Sequence, residues 1–355
     1  MNRFPFLDWM RGLALAIMIQ VHVFNSFARM DVRNGGLYAL AVFVGGIAGP
    51  LFLFMAGMTF AFQMDRLERK EGRPLSRWLA CLRRAGYIWG IAYLIRITDW
   101  AGSWPHGGWD EILRVDILNS MGLAMAVFSA AALAVGGRRI RMVLVCAIAI
   151  AAVSPFIANW NWAAVPDVVR QYLAPGFGRG HFPFFPCASY LGFGMTAGAA
   201  VRLTDAARMD RLMQWAALMG GGAILASQYV SNLPYSVYPK SNFWTDNPAL
   251  IFIRVGIALV MLAGCYTWTV FCADPGWSWV QCLGRNSLLV YWVHLILVYG
   301  PLTAMFQKSL SIPATALAAV ATIALMVGLA ALWQRWRGRK AGIKIGFTAV
   351  SSISA

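Results

Sequence analysis

The feature that most constrains this chain is a series of about ten apolar runs, each long enough to cross a lipid bilayer as a helix of about 20 residues. Hydrophobic residues make up 59% of the 355 positions and charged residues 12%, whereas soluble domains carry about 25% charged residues. The sequence therefore predicts an all-α polytopic membrane protein. The predicted spans are residues 6–27, 37–64, 79–97, 117–135, 142–158, 183–202, 212–230, 248–271, 284–305 and 313–334.

Basic residues lie mainly in alternate loops between these runs. The richer loops and the tail contain Arg66, Arg69, Lys70, Arg73, Arg77, Arg138, Arg139, Arg141, Arg202, Arg208, Arg211, Arg335, Arg337, Arg339, Lys340 and Lys344. The intervening loops hold one or two basic residues each. By the positive-inside rule this alternation predicts ten spans with both termini cytoplasmic, in a multi-pass protein of the cytoplasmic (inner) membrane.

The same loops account for the net charge of +16, which in a soluble chain would suggest a nucleic-acid partner. Here the partner of these charges is the lipid bilayer, and nucleic-acid binding is excluded. The six cysteines show no C-x-x-C spacing, so neither disulfides nor a metal site is expected. We predict one transmembrane domain over residues 1–336, followed by a short basic cytoplasmic tail, 337–355. The second span is long and is interrupted by Gly49 and Pro50, so it is predicted to be kinked or tilted.

The first span carries an arginine and a histidine, Arg11 and His22. Eleven helical steps amount to about three turns plus 20°, so both side chains project from one face, about 16 Å apart along the axis. Asp8 stands one turn before Arg11, at the spacing of an ion pair. Because ionisable groups inside a bilayer are costly, such residues are candidates for function.

The predicted topology places Arg11 in the inner third of the membrane and His22 towards the outer third. Histidine suits general-base chemistry near neutral pH, and arginine suits the binding of an anion. Structural alternatives stay open for both residues. His22 would then donate a hydrogen bond to a neighbouring carbonyl group, and Arg11 would extend to the inner lipid headgroups.

The spacing of Arg11 and His22, in the stretch Leu7-Asp8-Trp9-Met10-Arg11-Gly12-Leu13-Ala14, resembles the opening Arg-x10-His motif of the membrane acyltransferase family 3 proteins. It is also similar to bacterial relatives of heparan-alpha-glucosaminide N-acetyltransferase. Further matching stretches are Gly49 to Gly57, Phe182 to Pro186 with Gly192 and Gly194, Phe243-Trp244 with Pro248, and Leu283 to Ser287 with Tyr291 and His294. The resemblance covers nearly all the spans.

The resemblance implies a membrane acyltransferase that takes an acyl group, typically acetyl, from cytoplasmic acyl-CoA. Acetyl-CoA would be a cosubstrate, with no cofactor bound permanently and no metal. The acceptor would be a sugar or glycan at the outer side. The resemblance also implies His22 as catalytic base and Arg11 as support for the donor. One departure concerns the loop after span one, where heparan-type members place a histidine before Trp-Asn-Gly and this chain has Val32 to Gly36.

Three further arginines are candidates for the CoA phosphates. Arg83 and Arg84 lie early in span three, and Arg285 lies at the start of span nine. Guanidinium groups bind phosphate well. The alternative is that they set topology and contact lipid headgroups.

The remaining candidates lie at mid-membrane or nearer the outer side. Arg254 and Arg96 are expected to pair with Asp99 or Asp246, or to touch the acceptor. His294 would join the cavity or hydrogen-bond between helices. His181 would contact the acceptor or mark the beginning of a helix before Pro183.

A rival function is a transporter or flippase for a glycan or lipid intermediate, in which the same charges line a polar path. Assembly as a homo-oligomer is left open by the sequence.

Overall fold

A computed structural model describes residues 4–70, 73–103, 108–176, 182–238, 240–273 and 276–351. These residues fold into helices, as the sequence predicts. In chain order they are α1 Pro5–Phe27, α2 Gly36–Gly45, α3 Ala48–Lys70, α4 Pro74–Ser103, α5 Ile117–Phe128, α6 Gly136–Ala158, α7 Asp167–Leu173, α8 Phe184–Leu203, α9 Met209–Ser231, α10 Pro248–Phe271, α11 Trp279–Arg285, α12 Ser287–Tyr299 and α13 Ile312–Ser351. Short 3₁₀ turns join several of them, at Asp31–Asn34, Trp109–Glu111, Ser129–Leu133, Ala206–Arg208 and Pro301–Phe306.

Many of these helices are long and apolar enough to cross a membrane. Among the described residues six segments meet both conditions, or seven if the bent pair α11 and α12 counts as one span. A helix satisfies its backbone hydrogen bonds internally, which the bilayer requires. The chain is therefore an all-α, polytopic membrane protein.

The break in the second predicted span lies earlier than the sequence suggested. The helix ends at Gly45, residues 46 and 47 form a turn, and α3 begins at Ala48. Gly49 and Pro50 therefore belong to the first turn of α3, and the predicted interruption of the span occurs two to three residues before them. Proline is tolerated there because the first amide groups of a helix have no partner within the helix.

The ninth predicted span, 284–305, is also different. The axes of α11 and α12 differ by 93° at the break between Arg285 and Ser287. Asn286 at this break has φ −114° and ψ 27°, outside the α-helical region. A second helix break follows at Gly300. The apolar run thus contains a sharp corner and a short membrane helix rather than one straight span.

The described chain divides into two compact units, one from Met1–Gly46 with Ala273–Ala355 and the other from Ile47–Cys272. In the first unit α1 packs against α2, α11, α12 and α13. Its buried face includes Met10, Leu15 and Ile19, none more than 1% exposed. This unit contains both unusual residues of the first span, Arg11 and His22. The predicted tail after residue 336 continues α13.

The second unit is built mainly on α3 against α8, α9 against α10, and α6 against α8. Glycines allow the backbones of α3 and α8 to touch, since a Cβ on Gly194 would lie 1.8 Å from the Phe54 carbonyl oxygen. Ion pairs stand near the ends of the same helices. Arg202 contacts Asp65 at 2.9 Å, and Arg139 contacts Glu68 at 2.7 Å.

Candidate active site

The first turns of α1 carry a cluster of three charged side chains. The carboxylate of Asp8 lies 3.7 Å from Nη1 of Arg11 and 3.4 Å from Nε of Arg285. Nη2 of Arg285 also donates to Oε1 of Gln281 at 3.0 Å. The Asp8 side chain is 2% exposed, while those of Arg11 and Arg285 are 24% and 43% exposed. The carboxylate is thus enclosed, and both guanidinium groups remain accessible.

Two glycines bring Arg285 to this position. A Cβ on Gly284 would lie 2.0 Å from the carbonyl oxygen of Asp8, and one on Gly12 would lie 1.9 Å from that of Val280. At such distances no larger residue fits without displacing backbone. The helices α1 and α11 therefore cross in direct backbone contact, and the residue after Gly284 faces the start of α1.

A pair of histidines occupies the other half of α1. Nδ1 of His22 lies 3.0 Å from Nε2 of His294 on α12. The two rings stack with centroids 5.2 Å apart at 12°. Nδ1 of His294 lies 2.8 Å from the carbonyl oxygen of Val290. His294 is fully buried, whereas His22 is partly exposed.

Tyrosines stand edge-on to both histidines. The ring of Tyr299 is 5.6 Å from that of His22, and the ring of Tyr291 is 5.8 Å from that of His294. One turn further along, the hydroxyl of Ser26 donates to the Val298 carbonyl oxygen at 2.9 Å. The two tyrosines flank the histidine pair, whereas the Ser26 hydrogen bond lies one turn beyond it and touches neither imidazole.

The end of α1 is held by backbone and side-chain hydrogen bonds. Nη2 of Arg33 donates to the Asn25 carbonyl at 2.8 Å, and its Nε donates to the Ala28 carbonyl at 3.2 Å. These are carbonyls that the end of a helix leaves without backbone partners. Arg33 thus caps the end of α1.

A second ion pair lies on this loop. The guanidinium of Arg29 donates to both carboxylate oxygens of Asp31, at 3.1 and 2.8 Å. The side-chain hydrogen bond from Arg29 lowers the pKa of Asp31. Both residues are exposed and follow the end of α1. Substitutions of this ion pair can therefore serve as controls for substitutions of the charged residues within α1.

Five of the predicted site residues lie in the first unit, in two groups: Asp8, Arg11 and Arg285 in one, and His22 and His294 in the other. The predicted pairing of Asp8 with Arg11 is confirmed. Of the two interpretations of His294, the hydrogen bond between helices is confirmed, with His22 as its partner; a place for His294 in a substrate cavity stays a prediction. His181 lies outside the described residues.

The other candidates belong to the second unit. Arg83 and Arg84 are exposed on α4, and Arg84 lies 5.6 Å from the ring of Tyr87. Nη1 of Arg254 is 3.5 Å from the hydroxyl of Tyr190, rather than beside Asp99 or Asp246 as predicted.

Arg96 fulfils the predicted pairing within the second unit. Its Nη2 lies 3.5 Å from the carboxylate of Asp99 and also contacts that of Asp116. The Arg96 side chain is buried. Its position is that of a structural ion pair.

Sequence reasoning missed Tyr299 and the direct contact between His22 and His294. These two histidines are 272 positions apart, and no local spacing relates them. The predicted depths gave no signal either, because His22 was placed towards the outer third of the membrane and His294 near its middle.

The family model described as heparan-alpha-glucosaminide N-acetyltransferase, catalytic, matches residues 3–231, which is more than half of the chain. The chain belongs to this family. No curated protein matches it. This heparan-alpha-glucosaminide N-acetyltransferase family member is therefore a multi-pass membrane protein of an acetyltransferase family. The matched residues include Arg11 and His22, while Arg285 and His294 lie beyond them. The resemblance to acyltransferase family 3 stays a prediction.

Proposed function

We propose that this protein transfers an acetyl group from acetyl-CoA to a sugar of a glycan, with His22 as the general base. The observation that carries the proposal is the placement of His22. Its Nδ1 lies 3.0 Å from Nε2 of His294, on the side of α1 that packs against α12. A histidine so held has a defined ring orientation, which general-base catalysis needs. Membership of an N-acetyltransferase family supports the group transferred.

The charged cluster at the start of α1 is our proposed site for the donor. Arg11 and Arg285 share one enclosed carboxylate, so the cluster keeps one net positive charge. Guanidinium groups form charge-assisted hydrogen bonds with phosphate. Arg11 and His22 are about 16 Å apart along the helix, a distance that the flexible pantetheine arm of CoA is suited to bridge.

We propose that the acceptor of the acetyl group is a sugar or glycan that contains glucosamine. The family's name supports an α-glucosaminide, and with it transfer to an amino group. The chain carries Arg33 as a helix cap where heparan-type members have their loop histidine, so the proton-accepting role is assigned to His22. The loop charges support donor binding from the cytoplasmic side and acceptor binding from the outer side.

In the proposed reaction His22 removes a proton from the amine or hydroxyl of the acceptor. The freed lone pair of the acceptor forms a bond to the carbonyl carbon of the thioester. The carbon–sulfur bond then breaks, and the CoA sulfur leaves as a thiolate that takes the proton from His22. Proximity of the two substrates and proton transfer both contribute to the rate.

An acetyl-transfer assay tests this proposal. The full chain is reconstituted in lipid nanodiscs and given acetyl-CoA with a labelled acetyl group, together with a panel of saccharides that end in a glucosaminide. We expect label in the saccharide, with one CoA thiol released for each acetyl group transferred. Product stable to hydroxylamine would identify an amide, and labile product an ester. Wild-type protein that transfers no label to any of these sugars would overturn the proposal. If the protein instead moved unmodified saccharide across the membrane of lipid vesicles, that result would favour the alternative function, a transporter.

A further inference from the structure

The hydrogen bonds of His294 determine which of its ring nitrogens carries the proton. A carbonyl oxygen only accepts hydrogen bonds, so the Val290 carbonyl at 2.8 Å requires N–H at Nδ1 of His294. A neutral imidazole has one donor and one acceptor nitrogen. In neutral His294 the nitrogen that faces His22, Nε2, is therefore the acceptor.

The same reasoning extends to His22. Its Nδ1 lies 3.0 Å from the accepting Nε2 of His294, so Nδ1 of His22 must be the donor. Neutral His22 then has its free lone pair at Nε2. The chain of hydrogen bonds thus runs from His22 Nδ1 to His294 Nε2, and from His294 Nδ1 to the Val290 carbonyl.

We propose that His294 is a positioning residue that holds His22 in the tautomer protonated at Nδ1, leaving Nε2 as the nitrogen that accepts the acceptor's proton. This inference rests on the proposed function for its catalytic consequence. The tautomer itself is a property of the resting protein. A buried carboxylate has the equivalent task in serine hydrolases, where it orients the catalytic imidazole and selects its tautomer.

The pair also accommodates the charge that forms during transfer. When Nε2 of His22 takes a proton, the ring becomes an imidazolium, and its Nδ1–H donates to a neutral acceptor at 3.0 Å. Hydrogen bonds to a charged group are stronger than neutral ones. When the CoA thiolate takes that proton from Nε2, the ring returns to the starting tautomer. No net proton stays on either histidine.

Nitrogen NMR of the intact protein, labelled with ¹⁵N-histidine, tests the assignment directly. The chain has four histidines, and the His22 signals are those that disappear in His22→Asn. At a pH of about 8, where histidine is ordinarily neutral, we expect His22 to be protonated at Nδ1 and unprotonated at Nε2. A nitrogen–nitrogen coupling to His294 Nε2 is also expected. A His22 protonated at Nε2 in the wild type overturns the proposal.

Variants of His294 provide the kinetic test. His294→Phe keeps a ring but has no acceptor, so we expect kcat to fall about 10²- to 10⁴-fold, with His22 losing its fixed tautomer and the KM values changing less than about threefold. His294→Gln places an amide oxygen near the former Nε2 and is expected to recover kcat at least about tenfold over Phe.

The matched control is Ser26→Ala. It removes another hydrogen bond between α1 and α12, to Val298, without touching either histidine. We expect its kcat and its His22 tautomer to be those of the wild type. If His294→Phe retains wild-type kcat while His22→Ala is inactive, the positioning role is wrong and the base assignment stands. If His22→Ala keeps full activity, the base assignment itself is wrong.

Discussion

The two halves of α1 hold their polar side chains in different ways. At the start, Asp8 neutralises part of the charge on Arg11 and Arg285 through contacts of 3.4 to 3.7 Å. Further along, His22 is held by a neutral chain of hydrogen bonds through His294 to the Val290 carbonyl. The first arrangement is suited to binding a charged ligand, and the second to orienting a group that must gain and lose a proton.

Because of this difference, substitutions in the two halves of α1 should change different kinetic quantities, KM for the donor in one case and kcat in the other. A change in the charged cluster should alter how tightly the donor binds, because the phosphates are present in ground state and transition state alike. A change in the histidine pair should alter the chemical step, because proton transfer contributes only in the transition state. The predictions below follow from this division, beginning with the largest effect.

Removing the imidazole of His22 should reduce kcat at least as much as any other substitution, including His294→Phe. We expect His22→Ala to reduce kcat for acetyl transfer about 10²- to 10⁴-fold, the usual contribution of a general base. The KM for acetyl-CoA should change less than about threefold, since the donor's phosphates bind elsewhere. Steady-state assays with the labelled donor measure both quantities, with Ser26→Ala as control. If His22→Ala changed the KM for acetyl-CoA more than it changed kcat, the assignment of His22 to the chemical step rather than to donor binding would be contradicted.

Pairing this substitution with one at His294 sharpens the result. Residues that act as a unit show strongly non-additive effects. The double variant, His22→Ala with His294→Phe, should therefore be no slower than His22→Ala alone. Losses that multiply would show that His294 acts on the rate independently of His22.

The charged cluster should give the next largest effect. Hydrogen bonds to charged groups contribute about 1.5–3 kcal/mol, so Arg11→Ala should raise the KM for acetyl-CoA about 10- to 100-fold with a smaller change in kcat. The control is Arg29→Ala, which removes an arginine that pairs with Asp31 outside this cluster. Equal KM values for acetyl-CoA in the wild type and in Arg11→Ala would show that the donor does not bind at this part of α1.

Charge compensation within the cluster should appear in stability. Asp8→Asn keeps the side-chain volume but removes the carboxylate charge that Arg11 and Arg285 share. Breaking a fully buried ion pair costs about 3–5 kcal/mol, and an exposed pair costs below about 1 kcal/mol. Because these guanidinium groups are partly exposed, we expect about 1–2 kcal/mol. Thermal unfolding in nanodiscs, compared with Asp31→Asn, measures the loss.

The sequence predicted the local part of this site and missed the long-range part. Helix α1 was predicted at 6–27 and occurs at Pro5–Phe27, because a long apolar run with Pro5 at its start has few alternatives in a membrane. Asp8 and Arg11 were paired correctly because they are one turn apart. The contact of His22 with His294 depends on the 93° corner between α11 and α12.

That corner was hidden because both sides of it are apolar. Hydropathy over residues 284–305 describes one continuous run, and nothing in a sliding average marks Asn286 as a break. The cause is tertiary. Gly284 lies against the Asp8 backbone, where a Cβ would be 2.0 Å from the carbonyl oxygen. Such a crossing is fixed by two helices together and is not encoded in the hydropathy of either.

The smallest effect is expected at the exposed pair of Arg29 and Asp31. The side-chain hydrogen bond from Arg29 lowers the pKa of Asp31 in the folded protein. Any stabilisation from this carboxylate is therefore fully present above the pKa of the unfolded state, about 3.9. It is lost as the pH falls through the lower pKa of the folded state. Between about pH 5 and 8 the pair should therefore contribute no pH dependence. We expect Asp31→Asn to leave kcat and KM unchanged and the pH–rate profile superimposable on that of the wild type. A shifted profile would show that charges on this loop act on the histidine pair, and that the chemical step is not controlled by His22 and His294 alone.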